Sequence, residues 1–190
     1  MNREEWLNQA VHRLRADFQE QAECELPEKI RVTCGWPSKG GRGKKNRTTG
    51  ECWPCKSSED HHFEIFISPM ESNPLNVLGI LVHELVHTAT PGEGHKKPFR
   101  DVAIAVGLEG KMTATTSSEM LLVRLTLLKD QLGLYPHAAI NPNSKTTQST
   151  RMLKIECPAC GWMARTSQKW MDLGLPVCAC GEQMVDPDAD

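Results

Sequence analysis

No run of apolar residues in this 190-residue chain reaches the roughly 18 that a membrane-spanning helix needs. The first residues, "MNREEWLNQAVHRLRADF", are charged and amphipathic, unlike a secretion signal. Both absences point to a cytoplasmic or nucleoid-associated protein. The formal net charge is only -2, so there is no global attraction to nucleic acid and any such binding must be local. An internal repeat is also lacking, which argues against a solenoid or propeller. What is present is enough for a core: 39% of residues are apolar, and the length suits one compact domain, or one with a small module attached. Eight cysteines in a reducing compartment read as metal ligands or structural thiols rather than disulfides.

Residues 2–22 read as a helix, opened by an Asn2–Glu5 capping box and striped by Leu7, Val11, Leu14 and Phe18. "KIRVTCGW" and "FEIFIS" alternate like strands, with "GECWPC" a third strand nearby. The Gly-rich, basic "PSKGGRGKKNRTTG" then reads as a long loop joining antiparallel strands. Asn73-Pro74 starts a second helix that runs to about Ala89, where "TPGEG" breaks it. A third follows Pro98 and stops near Gly107. A fourth is expected from a Thr116–Glu119 cap to Gly133. Residues 1–136 are thus assigned to one domain, the polar residues 137–151 to a linker, and 152–190 to a cysteine module.

The second helix carries the chemistry. His83 and His87 stand four residues apart, on one helical face, with Glu84 between them. Two imidazoles so placed can reach one ion, and the glutamate can act as base toward a water beside it. From Pro74 to Thr90, these three are the only ionisable side chains in an otherwise apolar helix. A helix apolar on all sides is buried, and unpaired ionisable groups there cost several kcal/mol. A metal ion relieves that cost, and zinc suits such a donor set. A third ligand is needed. His95 is the first candidate, because "TPGEG" turns the chain back before it. Glu93, Asp101 or an upstream cysteine are the alternatives.

Four cysteines, Cys157, Cys160, Cys178 and Cys180, are spaced for a closed tetrahedral site, and Gly161 and Gly181 follow the pairs. A hairpin is expected between the pairs, built from "GWMARTSQKW" and "LGLPV". So small a module has little core, and a structural zinc ion would supply most of its folding energy. Its Trp162 and Trp170, with Arg151, Lys154, Arg165 and Lys169, are candidates for nucleic-acid contact, although acids outnumber bases there. Lys39, Arg42, Lys44, Lys45 and Arg47 form an acid-free loop suited to a phosphate backbone. Cys24, Cys34, Cys52 and Cys55 are irregularly spaced and read as structural thiols. His61 and His62 are expected to be exposed at a strand start.

Taken together, H83-E-L-V-H87, G94-H95-K-K-P-F99 and the terminal cysteines resemble the SprT-like (Spartan-type) zinc metallopeptidases. The resemblance runs from about Glu28 to Met184. It departs from the family's pattern in a short insert between His87 and His95 and in a final C-x-C pair. It implies an α+β fold: a zincin-like metallopeptidase domain of helices with a small antiparallel sheet, then a zinc ribbon. It also implies two Zn2+ ions, one catalytic at His83, His87 and His95 with Glu84 as general base, and one structural. The implied activity is cleavage of DNA-associated or DNA-crosslinked proteins. The partners would be a protein substrate and DNA, single-stranded or at junctions, with no membrane. Two rival readings remain: a non-catalytic DNA-binding adaptor with structural zinc, and a zinc hydrolase of small amides.

Overall fold

The computed structural model describes residues 1–42, 47–144 and 152–188. It divides into two compact units, Met1–Pro142 and Asn143–Asp190. Residues 137–142, read from the sequence as linker, lie with the first unit. His137 Nε2 and the Ile140 amide both reach the carbonyl of Pro69, at 2.9 and 2.8 Å.

The first unit is mixed α+β. Helix α1 spans Arg3–Ala22 and opens with the expected capping box: the Asn2 side chain accepts from the Glu5 amide, and Glu5 accepts from the Asn2 amide. Its buried face, Trp6, Leu7, Ala10, Val11, Leu14 and Phe18, lies in the main core. The leucines, Val11 and Phe18 among them contribute about 1.5–3 kcal/mol each when fully buried. The sheet comprises β1 (Ile30–Cys34), β2 (Gly50–Trp53) and β3 (Phe63–Ile67), in the order β1-β3-β2.

Here the antiparallel expectation is corrected. β1 pairs with β3 in parallel, Ile30 opposite Phe63 and Cys34 opposite Ile67, while β2 is antiparallel to β3. Parallel neighbours need a long crossover, and the chain between β1 and β3 supplies it by first laying down β2. The central strand buries Phe63, Ile65 and Ile67. β2 is left at the edge.

Helix α2 (Pro74–Ala89) packs on this sheet. The Asn73 side chain caps it by accepting from the Leu75 and Asn76 amides, and Pro74 occupies its first turn. Val77, Leu78, Leu81, Val82, Leu85 and Val86 are all fully buried, so the helix is a core element over most of its circumference. Helix α3 (Lys97–Ala105) follows. The next segment departs from the sequence reading. Residues 108–117, of which the first eight received no assignment from the sequence, form a hairpin, β4 (Leu108–Lys111) with β5 (Ala114–Ser117). Helix α4 (Glu119–Leu132) is capped by Ser118, whose side chain accepts from the Leu121 amide, rather than by Thr116.

The second unit has a small core of Ile155, Cys157, Cys178 and Met184. Its hairpin is β6 (Leu153–Glu156) with β7 (Met163–Thr166), so the first cysteine pair sits in the turn rather than before the hairpin. Gln168–Leu173 is a short helix, α5, where strand had been expected. Among the described residues, no helix is long and apolar enough to cross a membrane.

Candidate metal centre

Helix α2 and the turn that follows it bring the histidines together. His83 and His87 project from one face of α2. The helix then ends at Thr90, whose hydroxyl donates to the Val86 carbonyl. Gly92 and Gly94 both adopt positive φ, at 82° and 57°, a backbone conformation that residues with a β-carbon rarely take. That double reversal returns His95 over the helix. His95 Nε2 lies 3.3 Å from His83 Nε2, and one donor atom from each of the three imidazoles lies within 4.8 Å of the others. Donors around a tetrahedral ion at bonds of about 2 Å stand roughly 3.3 Å apart. The three histidines can therefore hold a metal ion.

Phe99, fully buried on α3, is in contact with all three ligand rings: its centroid is 5.1 Å from His83, 4.5 Å from His87 and 4.8 Å from His95. Desolvation disfavours the charged form of each imidazole, most at half-buried His83 and His87 and less at exposed His95. Together with the neighbouring rings it pushes His83 down to about 3 and His87 to about 4, and burial alone lowers His95. Neutral imidazoles keep the lone pairs that ligation requires. Glu84, buried between helix and sheet, is pushed up to about 8 by desolvation and then by the Glu51 carboxylate. A cation beside it would act in the opposite sense.

The other candidate ligands stay out of the cluster. Asp101 is exposed and pairs with Lys97 at 3.4 Å, one helical turn away. Glu93 lies in the turn, and no cysteine joins the three histidines. Cys52 does line the same cleft, but it is partly buried against the core, and desolvation first, then the Glu84 and Glu51 carboxylates, push its thiol up to about 12.

The cleft has a volume of about 1460 Å³. One wall is the edge strand and the residues before it, Arg47 to Cys52; the other is the β4–β5 hairpin. Sequence reasoning missed two residues here. Gly50 of β2 lies against Glu84 with no room for a side chain, and Thr115 of β5 meets His83 with Oγ1 2.8 Å from Nδ1. Neither stands in a recognisable motif, and only the fold brings them to the site.

The basic loop is dispersed where it is described. Arg42 stacks over the Trp36 ring, 4.9 Å from its centroid, and Lys39 is exposed. Arg47 turns toward the metal cleft, with Nη1 3.7 Å from Met70 Sδ. Lys44 and Lys45 lie outside the described residues. His61 is exposed as expected, whereas His62 is half-buried, 3.1 Å from Asp60.

In the second unit, Cys157 Sγ and Cys180 Sγ are 3.5 Å apart, and Cys160 Sγ and Cys178 Sγ 3.6 Å. The amides of Gly161 and Gly181 bond back to the carbonyls of Cys157 and Cys178, both glycines at positive φ. Four thiols so gathered can also hold a metal ion. Cys24, Cys34, Cys52 and Cys55 belong to no such group among the described residues. Comparison of the chain with protein-family profiles, with curated proteins and with solved structures finds no match.

Proposed function

We propose that this chain is a zinc metallopeptidase of SprT-like type that cleaves DNA-associated or DNA-crosslinked proteins. One observation carries the catalytic part. Three neutral imidazoles converge beside a buried carboxylate on the wall of an open cleft, whereas the four thiols of the second unit form a closed set. Three protein donors leave a position for water or substrate; four close the site. Zinc held by His83, His87 and His95 would supply Lewis acidity toward a scissile carbonyl and acidify a water molecule.

The residues of the chain do the rest. Glu84 stands beside the histidines as the group that takes a proton from water and passes it to the leaving amine. Its low exposure, 5%, keeps bulk water from competing for that proton. The cleft is lined on one side by the edge strand β2 and on the other by the β4–β5 hairpin, and a protein substrate would enter between them. Cys157, Cys160, Cys178 and Cys180 would hold a structural zinc ion. Support for DNA is of a different kind: the resemblance of the motifs, the bases Lys39 and Arg42, and exposed Trp162 and Trp170 in the second unit.

The test is direct. Zinc-loaded full-length chain is incubated with a DNA-crosslinked protein, with and without single-stranded DNA, beside the same chain carrying Glu84→Gln. Fragments appearing with the wild type alone support the reading. A wild type holding two zinc ions that leaves every protein intact would mark the chain as a metal-binding adaptor instead.

A further inference from the structure

The β4–β5 hairpin supplies no ligand to the metal centre, yet it holds the outer nitrogen of one. Thr115 Oγ1 lies 2.8 Å from His83 Nδ1, and among the described residues this is the only hydrogen bond between a ligand imidazole and a non-ligand side chain or backbone group. The other nitrogen of the same ring, Nε2, faces His95 Nε2 at 3.3 Å. A neutral imidazole carries one proton, and a ring that offers Nε2 to a cation must carry that proton on Nδ1. The threonine oxygen is placed to accept it.

We infer that Thr115 is a positioning residue of the metal centre, holding the His83 ring at Nδ1 so that, when the ion is bound, Nδ1 carries the proton and Nε2 presents its lone pair. The inference rests on the reading of the three histidines as zinc ligands. A hydroxyl is fitted to the task because it both accepts and donates. With the ion bound, it accepts from Nδ1–H. Without the ion it can donate to Nδ1 while Nε2–H turns toward His95, so the site can fill and empty with no backbone rearrangement.

The placement of Thr115 is built into the fold from both sides. Behind it, Leu108 anchors the hairpin in the core, and the Ser118 amide bonds to the Gly107 carbonyl at 2.9 Å. In front, Gly79 stands one helical turn before His83. A β-carbon there would lie 3.0 Å from Ser117 Oγ, so its absence lets β5 approach α2 closely enough for Thr115 to reach the imidazole. Outer-sphere partners of this kind typically change metal affinity or activity about 10–100-fold when removed.

Zinc affinity of the full chain, measured by competition with a chromophoric chelator, tests the assignment, because the four-cysteine site in the same molecule serves as internal reference. Thr115→Val keeps the shape and the strand propensity but removes the hydroxyl. It should weaken the histidine site about 10–100-fold and leave the cysteine site unchanged. Thr115→Ser restores the hydroxyl without the methyl group and should bind close to wild type. The reverse order, with valine tolerated and serine impaired, would show that Thr115 acts by packing and would overturn the inference. Two equivalents of zinc bound equally well by wild type and Thr115→Val would overturn it alone. A wild type that takes up only the cysteine equivalent would overturn the histidine centre as well.

Discussion

Gly50 and Glu84 share one space: a β-carbon added to Gly50 would stand 2.5 Å from Glu84 Oε1, 2.9 Å from its Cγ and 2.6 Å from Ile80 Cγ2. The edge strand therefore forms the back of the seat in which the proposed base sits. The carboxylate end can swing aside, but Ile80 is a branched side chain on a packed helix and yields less easily. Gly50→Ala should consequently displace Glu84 while leaving the histidines in place. Peptide cleavage should fall about 100-fold, the usual effect of a misplacement near 1 Å, with both zinc ions retained by elemental analysis. Undiminished kcat in that variant would mean that the carboxylate has another productive position.

Glu84→Gln tests the base itself. The amide matches the carboxylate in shape, so zinc content and melting temperature should stay close to wild type. Turnover should drop by about 100- to 10,000-fold, the range associated with loss of a general base. Cleavage at the wild-type rate would remove Glu84 from the mechanism.

The two units predict different responses to loss of their metal. Among the described residues the second has a core of only four buried residues, two of them cysteines, so on the proposed reading its fold would depend on the ion. Changing Cys157 and Cys160 together to serine should release one zinc equivalent and collapse amide-exchange protection across residues 152–188. Protection in Met1–Pro142 should persist. Equal loss in both units would show that the first does not stand without the second.

Arg47 and the rest of its loop should separate by assay. Because Arg47 lines the metal cleft, Arg47→Gln should raise KM for a short free peptide. Neutralising Lys39, Arg42, Lys44 and Lys45 should leave that KM alone. It should weaken DNA binding, with about one unit of log–log salt slope lost per phosphate contact removed. A salt slope identical to wild type would leave the loop without a role in DNA binding.

Much of the centre was legible because it is local. The spacing of His83 and His87 follows from helical geometry, and Gly92 and Gly94 announce a reversal that returns His95. Caps at Asn2 and Asn73 marked helix starts for the same reason: a side chain and an amide two or three residues apart settle the matter. The parallel pairing of β1 with β3 was hidden because it depends on the route of the intervening chain rather than on either strand's pattern. The β4–β5 hairpin was hidden as well: "LEGKMTATTS" lacks bulky alternation, and its serine and threonines imitate a helix cap. Thr115 and Gly50 act across such non-local pairings, and so gave no signal of their own.

Phe99 has a last consequence, which concerns supply. A single buried ring braces all three imidazoles, and that ring is held by the apolar core rather than by any ion. On the proposed reading the histidine centre would be assembled before metal arrives, and filling it would be a docking event that can be repeated throughout the protein's life. The cysteine unit would take its metal as it folds. Under zinc scarcity, finished molecules would wait inactive but intact and start work when the ion returns, whereas newly made ones would lack their second unit.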